Sequence, residues 1–151
     1  MSLLSHILHP HPQVPTKIVL DEPFAGAILI SPWLNFRTAD ETITSNATSD
    51  LVAVPVGNRW SAAFLGNSPK DNYNQPSMAD PSWFSGLESA VKDILIWGGG
   101  GEVLIAGIRE IVATLKGAHK RIDYIEEVST FPAVHWSMLI QAISLVLRTL
   151  R

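Results

Sequence analysis

Two mainly apolar segments dominate the hydrophobic pattern of the chain. The first spans residues 24–30 and is bounded by Pro23 and Pro32, and the second spans residues 91–97. Continuous apolar runs of this length are typical of strands that are covered on both faces, as the strands of parallel sheets are. We therefore predict two buried parallel strands, and we expect the first to lie in the centre of its sheet.

Apolar residues at helical spacing predict three helices. The first is a short helix over residues 2–8, and the second covers residues 103–116, with Gly117 as its C-terminal stop. The third covers residues 138–150, where leucine, isoleucine and valine fall on one side. Each helix would present its apolar face to a common core.

The remaining segments complete the pattern of an α/β domain. Residues 121–128 alternate polar and apolar side chains, which predicts a strand nearer the sheet edge. Residues 37–80 are rich in Thr, Ser, Asn, Asp and Pro, which predicts an insertion of short helices and loops. The order of strand, insertion, strand, helix, strand and helix implies right-handed crossovers. We predict one α/β domain over residues 1–151, with a parallel sheet and flanking helices.

Composition narrows the classes of function. With 46% hydrophobic and 17% charged residues, the chain of 151 residues can build a core, and a net charge of −3 without a basic block disfavours nucleic acid as a partner. The absence of cysteine excludes disulfides, thiolate metal sites and a cysteine nucleophile. The start of the chain does not have the pattern of a signal peptide, and no apolar run approaches the roughly 20 residues of a membrane span. These features predict a cytoplasmic protein.

Glu102 and His135 are the candidate catalytic residues. Glu102 follows the glycine run of residues 98–101 after the second predicted strand, and His135 lies in the loop after the third. Parallel strands place their sites beyond their carboxyl ends, so both residues would open onto one edge of the sheet. A helix N-terminus would favour the ionised form of Glu102 by about 0.3–1 kcal/mol. A carboxylate and a histidine are two members of a hydrolytic triad.

Simpler interpretations and other chemistries remain open at this point. Glu102 alone could stabilise its own helix, and His135 alone could be a surface or capping residue. The glycine run could form a dinucleotide-binding turn, but in either register the third position of G-x-G-x-x-G/A falls on Val103 or Leu104. Asp123, which lies at a permissive distance for a ribose contact, fits an amphipathic strand better.

Two further histidines, His9 and His11, lie close together in a proline-flanked loop. They have no third ligand nearby in the sequence, so a solvated loop is the better interpretation. Together with the incomplete dinucleotide pattern, this loop leads us to expect no metal and no other cofactor.

Three segments in consistent order carry a family resemblance: Ile30-Ser31-Pro32-Trp33-Leu34, residues 98–104, and Ala133-Val134-His135-Trp136. The chain resembles the C-terminal half of an α/β-hydrolase of the hormone-sensitive-lipase-like group, close to fungal esterases and lipases. The resemblance implies hydrolysis of carboxylic esters by a serine, an acid and a histidine in that chain order. It places Glu102 at the acid and His135 at the base, and it makes residues 37–80 a cap-like insertion.

The chain departs from the family pattern in two respects. Ala106 stands where the family often has a second acidic residue, and neither a G-x-S-x-G nucleophile elbow nor an H-G-G-G loop occurs in the 151 residues. In the family both motifs precede this region, and residues 2–8 resemble the helix that follows the elbow. We therefore expect a fragment without the N-terminal strands and the serine.

These departures lead to expectations about activity. We expect the chain to be inactive alone, and the full-length enzyme to act on a small-molecule ester. The alternatives are a catalytically inactive, truncated hydrolase that acts as a binding or regulatory partner, and a non-functional gene product. The sequence leaves open whether copies of the chain form a homo-oligomer.

Overall fold

The computed structural model describes residues 1–37, 40–50 and 52–128. The predicted third helix, over residues 138–150, therefore lies outside the described residues. The described helices and strands are α1 (Ser2–Leu8), β1 (Ala27–Ile30), α2 (Glu41–Ser45), α3 (Val54–Leu65), β2 (Ile94–Gly99), α4 (Ile105–Ala118) and β3 (Ile122–Glu127). Three short 3₁₀ helices, Pro76–Met78, Pro81–Phe84 and Leu87–Ser89, precede β2.

The three strands form a parallel sheet in the order β1-β2-β3. Ala27 of β1 lies opposite Ile94 of β2, which in turn lies opposite Ile122 of β3. All six residues of β2 are buried, as expected for a central strand. The parallel sheet with flanking helices confirms the predicted α/β fold class.

The prediction that the first strand is central and covered on both faces is wrong for the described residues. β1 lies at the edge of the described sheet, and the side chains of Ile28 and Ile30 are 37% and 44% exposed. Ala27 and Leu29 point to the other face and pack against the core. An apolar run shows that a strand can be buried, but the neighbouring elements decide which of its faces is covered.

The core lies between the sheet and α4. Helix α4 packs against β2, β3 and the first two 3₁₀ helices. Gly98 allows the helix to approach β2 closely, since a Cβ atom at that position would lie 3.0 Å from Cδ1 of Ile108. The fully buried apolar side chains of this core are Phe84, Leu87, Ala90, Val91, Ile94, Ile96, Ile105, Ile108, Ile111 and Leu115.

Helix α4 begins and ends two residues later than predicted. The residues before Ile105 form a turn, and Gly117 lies inside the helix and not at its stop. The chain leaves the helix at His119, which has extended backbone and a buried imidazole. Its Nδ1 accepts a hydrogen bond from the amide of Arg121, so Nε2 donates the 3.0 Å bond to the carbonyl oxygen of Val91. This bond ties the end of α4 to the residues just before the central strand.

The segment between β1 and β2 contains short helices and loops, as predicted for residues 37–80. Helices α2 and α3 and the first 3₁₀ helix fall within residues 37–80. The apolar side chains of Val56, Trp60 and Phe64 on α3 are exposed. In the part of the chain that the structure describes, none of the helices has the length and hydrophobicity needed to cross a membrane.

Candidate functional site

The candidate site is built on the acid turn, which we define as residues 98–104. The turn begins at the carboxyl end of β2, and backbone hydrogen bonds tie this end to both neighbouring strands. The amide of Ser31 donates to the carbonyl oxygen of Trp97 at 2.8 Å, and the amide of Gly100 donates to that of Glu127 at 2.7 Å. The acid turn therefore lies beyond the carboxyl end of the central strand, where sites form in parallel sheets.

The carboxyl group of Glu102 folds back towards the sheet. The side chain is 3% exposed, and its Oε1 atom accepts hydrogen bonds from the Ser31 hydroxyl at 2.6 Å and from the Gly99 amide at 3.0 Å. The Oε2 atom is buried and has no hydrogen-bond partner among the described residues. A buried carboxylate oxygen without a partner is costly, and such atoms are therefore candidates for a functional contact.

The environment of Glu102 raises the pKa of its carboxyl group above the ordinary value. Burial is the main cause, because it disfavours the charged form, and the negative charge of Asp50 adds to it. The hydrogen bonds from Ser31 and Gly99 act in the opposite direction. The direction of this shift is opposite to the one expected from a helix terminus alone. Helix α4 begins three residues later, at Ile105, and the carboxyl group turns back towards Gly99.

Polar side chains after α2 hold the backbone of the acid turn. Nδ2 of Asn46 donates to the carbonyl oxygens of Gly100 and Glu102, at 3.1 and 2.9 Å. The hydroxyl of Ser49 donates to the carbonyl oxygen of Gly101, which lies between them, at 2.9 Å. Three successive carbonyl groups of the turn are thus satisfied by one neighbouring segment.

Asp50 holds the other end of the turn. Its Oδ2 atom accepts a 2.7 Å hydrogen bond from the amide of Val103, and its Oδ1 atom accepts one from the amide of Val52. The carboxylate therefore links the segment after α2 to the residue that follows Glu102. It also adds a negative charge near the candidate acid.

The sequence pattern indicates Glu102 but not the residues that hold its side chain in place. Ser31 lies in the family-like segment of residues 30–34, which gives it no role of its own, and no local pattern connects Asn46 or Asp50 with the acid turn. His135 lies outside the described residues, so its contact with Glu102 stays a prediction. Among residues 1–37, 40–50 and 52–128, no cluster of three His, Asp or Glu side chains could hold a metal ion.

The geometry of the acid turn also argues against the dinucleotide alternative. A phosphate-binding turn needs free backbone amides that point towards the ligand. The Gly99 amide is bonded to the Glu102 carboxyl group, and the Gly100 amide is bonded to the backbone of Glu127. Two of the amides that would hold a phosphate are therefore engaged within the protein.

An apolar cleft lies beside the acid turn. It is formed by the loop after β1, by α3 and by the end of the turn, with Trp33, Phe36, Trp60 and Leu104 among its walls. Glu102 does not line this cleft, although the two residues after it do. The carboxyl group of Glu102 is therefore not part of the cleft wall.

Comparison with known proteins gives structural matches only. No protein-family model and no curated protein matches the chain. EstE5, solved after a soak with ethyl alcohol, is 26% identical with a TM-score of 0.63, and the match covers 84% of this chain and 43% of EstE5. An esterase of the bacterial hormone-sensitive lipase family is 24% identical with a TM-score of 0.66, covering 99% of this chain and 48% of the esterase. EstE5 soaked with p-nitrophenyl butyrate is 24% identical with a TM-score of 0.61.

The lengths of the matches define what is shared. The chain spans less than half the length of each of these three structures. The shared part includes the parallel sheet and its flanking helices.

Proposed function

Because the chain has part of an α/β-hydrolase fold, we propose that it supplies the acid and the histidine of a carboxylic ester hydrolase. Glu102 is the acid and His135 is the base in this proposal. The serine nucleophile belongs to a part of the fold that the 151 residues do not contain. The substrate is a small-molecule ester.

One observation carries the proposal. Glu102 presents a buried carboxylate oxygen without a partner among the described residues, directly beyond the carboxyl end of the central strand. The carboxyl group is already fixed through its other oxygen, so a single donor could complete its hydrogen bonding. The Nδ1–H group of a histidine is the donor that a triad acid accepts. The soak of EstE5 with an ester supports the same reaction class.

The proposed mechanism divides the chemistry between the two residues. His135 takes the proton of the serine hydroxyl while the serine oxygen bonds to the ester carbonyl carbon. The imidazolium then gives that proton to the leaving alcohol as the ester C–O bond breaks. Water repeats the sequence on the acyl-enzyme and releases the acid. Glu102 orients the imidazole, and its charge stabilises the imidazolium because the surroundings are poorly hydrated.

The insertion takes part in this proposal through its contacts with the acid turn. Asn46 donates to the carbonyl oxygens of Gly100 and Glu102, and Asp50 accepts from the amide of Val103, so both side chains hold the backbone next to Glu102. We propose that residues 37–80 have a cap-like role near the substrate, as the family resemblance implies. We also propose that the chain is close to the fungal esterases and lipases of this group.

Ester hydrolysis by the purified chain tests whether the nucleophile lies elsewhere. With p-nitrophenyl butyrate as the substrate, we expect no turnover above that of buffer, because the covalent step has no serine elbow. Steady turnover that His135→Ala abolishes would show a complete site within these residues and would contradict the proposal.

Sequencing of the transcript upstream of the Met1 codon should reveal G-x-S-x-G and H-G-G motifs in frame.

The acid–base pair can be tested in the chain as it stands. We expect NMR titration to give His135 an imidazole pKa that falls when Glu102→Gln removes the carboxylate, because a nearby negative charge favours the imidazolium. The control is Glu22→Gln, the same substitution at an exposed residue remote from the acid turn in sequence. An unchanged His135 titration in the Glu102 variant would refute the pair.

The edge strand supports a second candidate function. β1 leaves Ile28 and Ile30 partly exposed at the edge of the described sheet, and such an edge can pair with another chain. The chain would then act as a non-catalytic binding or regulatory partner. Sedimentation of the purified chain distinguishes the two ideas. Self-association that Ile28→Lys abolishes supports the second, and a monomer at all concentrations contradicts its homo-oligomeric form.

A further inference from the structure

Ser31 stands out because its backbone conformation and its side chain serve the same contact. It has a φ of 43°, and it is the sole residue other than glycine with positive φ among those described. It also precedes Pro32, and a residue before proline is normally held in extended backbone. A non-glycine residue in this region costs of order 1–3 kcal/mol. Such a cost is retained where the surrounding structure requires it.

The contact that this conformation makes is with the candidate acid. The backbone amide of Ser31 remains bonded to the carbonyl oxygen of Trp97, so the residue is anchored to the end of the sheet. Its hydroxyl donates to Oε1 of Glu102 at 2.6 Å, across 71 positions in the chain. A hydroxyl that donates to a carboxylate at this distance makes a strong, charge-assisted bond.

The second donor to the same oxygen is the amide of Gly99. Ser31 directly follows β1, and Gly99 is the last residue of the adjacent strand β2. Donors from two neighbouring strands therefore converge on Oε1. The other oxygen, Oε2, is buried and receives no bond from the described residues. The carboxyl group of Glu102 is therefore held through Oε1, while Oε2 has no hydrogen-bond donor among the described residues.

We infer that Ser31 is a positioning residue that fixes Oε1 of Glu102, so that Oε2 is the oxygen that accepts the imidazole N–H of His135. This inference rests on the proposed function for the identity of the partner, but not for the Ser31–Glu102 contact itself. While the imidazole of His135 is uncharged, the hydroxyl of Ser31 already holds the carboxylate of Glu102 in place. The histidine then meets an acceptor whose direction is already set.

The first part of the test measures Glu102 alone. Carbon-13 NMR of the labelled glutamate carboxyl groups, assigned with Glu102→Gln, follows the titration in the wild type, in Ser31→Ala and in Ser31→Gly. Both substitutions remove the hydroxyl, but glycine also relieves the positive φ. We expect both to shift the pKa of Glu102 upwards by similar amounts, because a bond to the charged form is lost. No shift in either, or a shift in only one, would overturn the inference.

A control variant separates this bond from general electrostatics. Asp50→Asn removes the neighbouring negative charge and leaves Ser31 unchanged, so the pKa of Glu102 should move downwards. Ser31→Gly also keeps the experiment decisive if the alanine variant does not fold, since it places no strained side chain at that position.

The second part measures direction through His135. In Ser31→Gly the Glu102-dependent rise in the His135 pKa should shrink, although the carboxylate is still present. A full rise would show that the hydroxyl holds the carboxyl group without directing it, and this result would overturn the inference. If Glu102→Gln leaves His135 unchanged while Ser31→Gly shifts Glu102, the proposed function fails and the Ser31–Glu102 contact stands.

Discussion

The amide of Gly99 donates a 3.0 Å hydrogen bond to Oε1 of Glu102, three residues further along the chain. The contact depends on the absence of a side chain at position 99. A Cβ atom there would lie 3.0 Å from Oε1 and 3.3 Å from Cγ of Glu102. The glycine thus leaves the space that the carboxyl group occupies.

Gly99→Ala should therefore displace the carboxyl group and destabilise the protein. We expect the free energy of unfolding to fall by about 1–3 kcal/mol, as is usual when a packed site receives an extra methyl group. Gly117→Ala is the matched control, because its Cβ would meet nothing within 4 Å inside α4. Alanine there should stabilise the helix by up to about 1 kcal/mol. Urea unfolding measures both, and equal effects would contradict the packing argument.

Glu102 should make stability fall as the pH rises. Its pKa is raised in the folded state, so the folded protein binds more protons than the unfolded chain above the ordinary value of 4.5. The contribution of Glu102 to the free energy of unfolding is thus fully present below this pH, and it is lost as the pH rises through the folded-state pKa. Urea unfolding between about pH 4 and about pH 8 should show this decline in the wild type and a smaller one in Glu102→Gln. Parallel curves would refute the raised pKa.

Asn46 should be needed for the shape of the acid turn. Asn46→Asp replaces the donor to the carbonyl oxygens of Gly100 and Glu102 by an acceptor, so we expect a loss of about 1–3 kcal/mol in unfolding free energy. Asn67→Asp provides the control at an exposed position and should change stability by less than about 0.5 kcal/mol. Thermal or urea unfolding checks the pair. Similar small losses in both would show that the Asn46 bonds contribute little.

The two isoleucines Ile96 and Ile30 should respond differently to the same truncation. Ile96 is fully buried in β2, so Ile96→Ala should cost about 2–5 kcal/mol. Ile30 is 44% exposed in β1, and Ile30→Ala should cost clearly less. Urea unfolding of the two variants measures the difference. Equal losses would indicate that the outer face of β1 is covered in solution.

Much of the fold could be predicted from local pattern. The three strands and α1 and α4 appear where apolar runs and helical spacing placed them, because such periodicity reflects which face of an element is buried. The position of Glu102 beyond a strand end followed from the same pattern. The exact limits of α4 did not, since the turn before it and the bond of His119 to Val91 depend on contacts across the core.

The sequence by itself determined the α/β class, the order of its elements and the glutamate at the carboxyl end of the central strand. The tertiary structure decided what surrounds that glutamate. Ser31 and Asn46 reach it from 71 and 56 positions away, and no local pattern encodes such contacts. It also decided the direction of the pKa shift, because burial depends on the packing of the whole neighbourhood and not on the residues next to Glu102 in the chain.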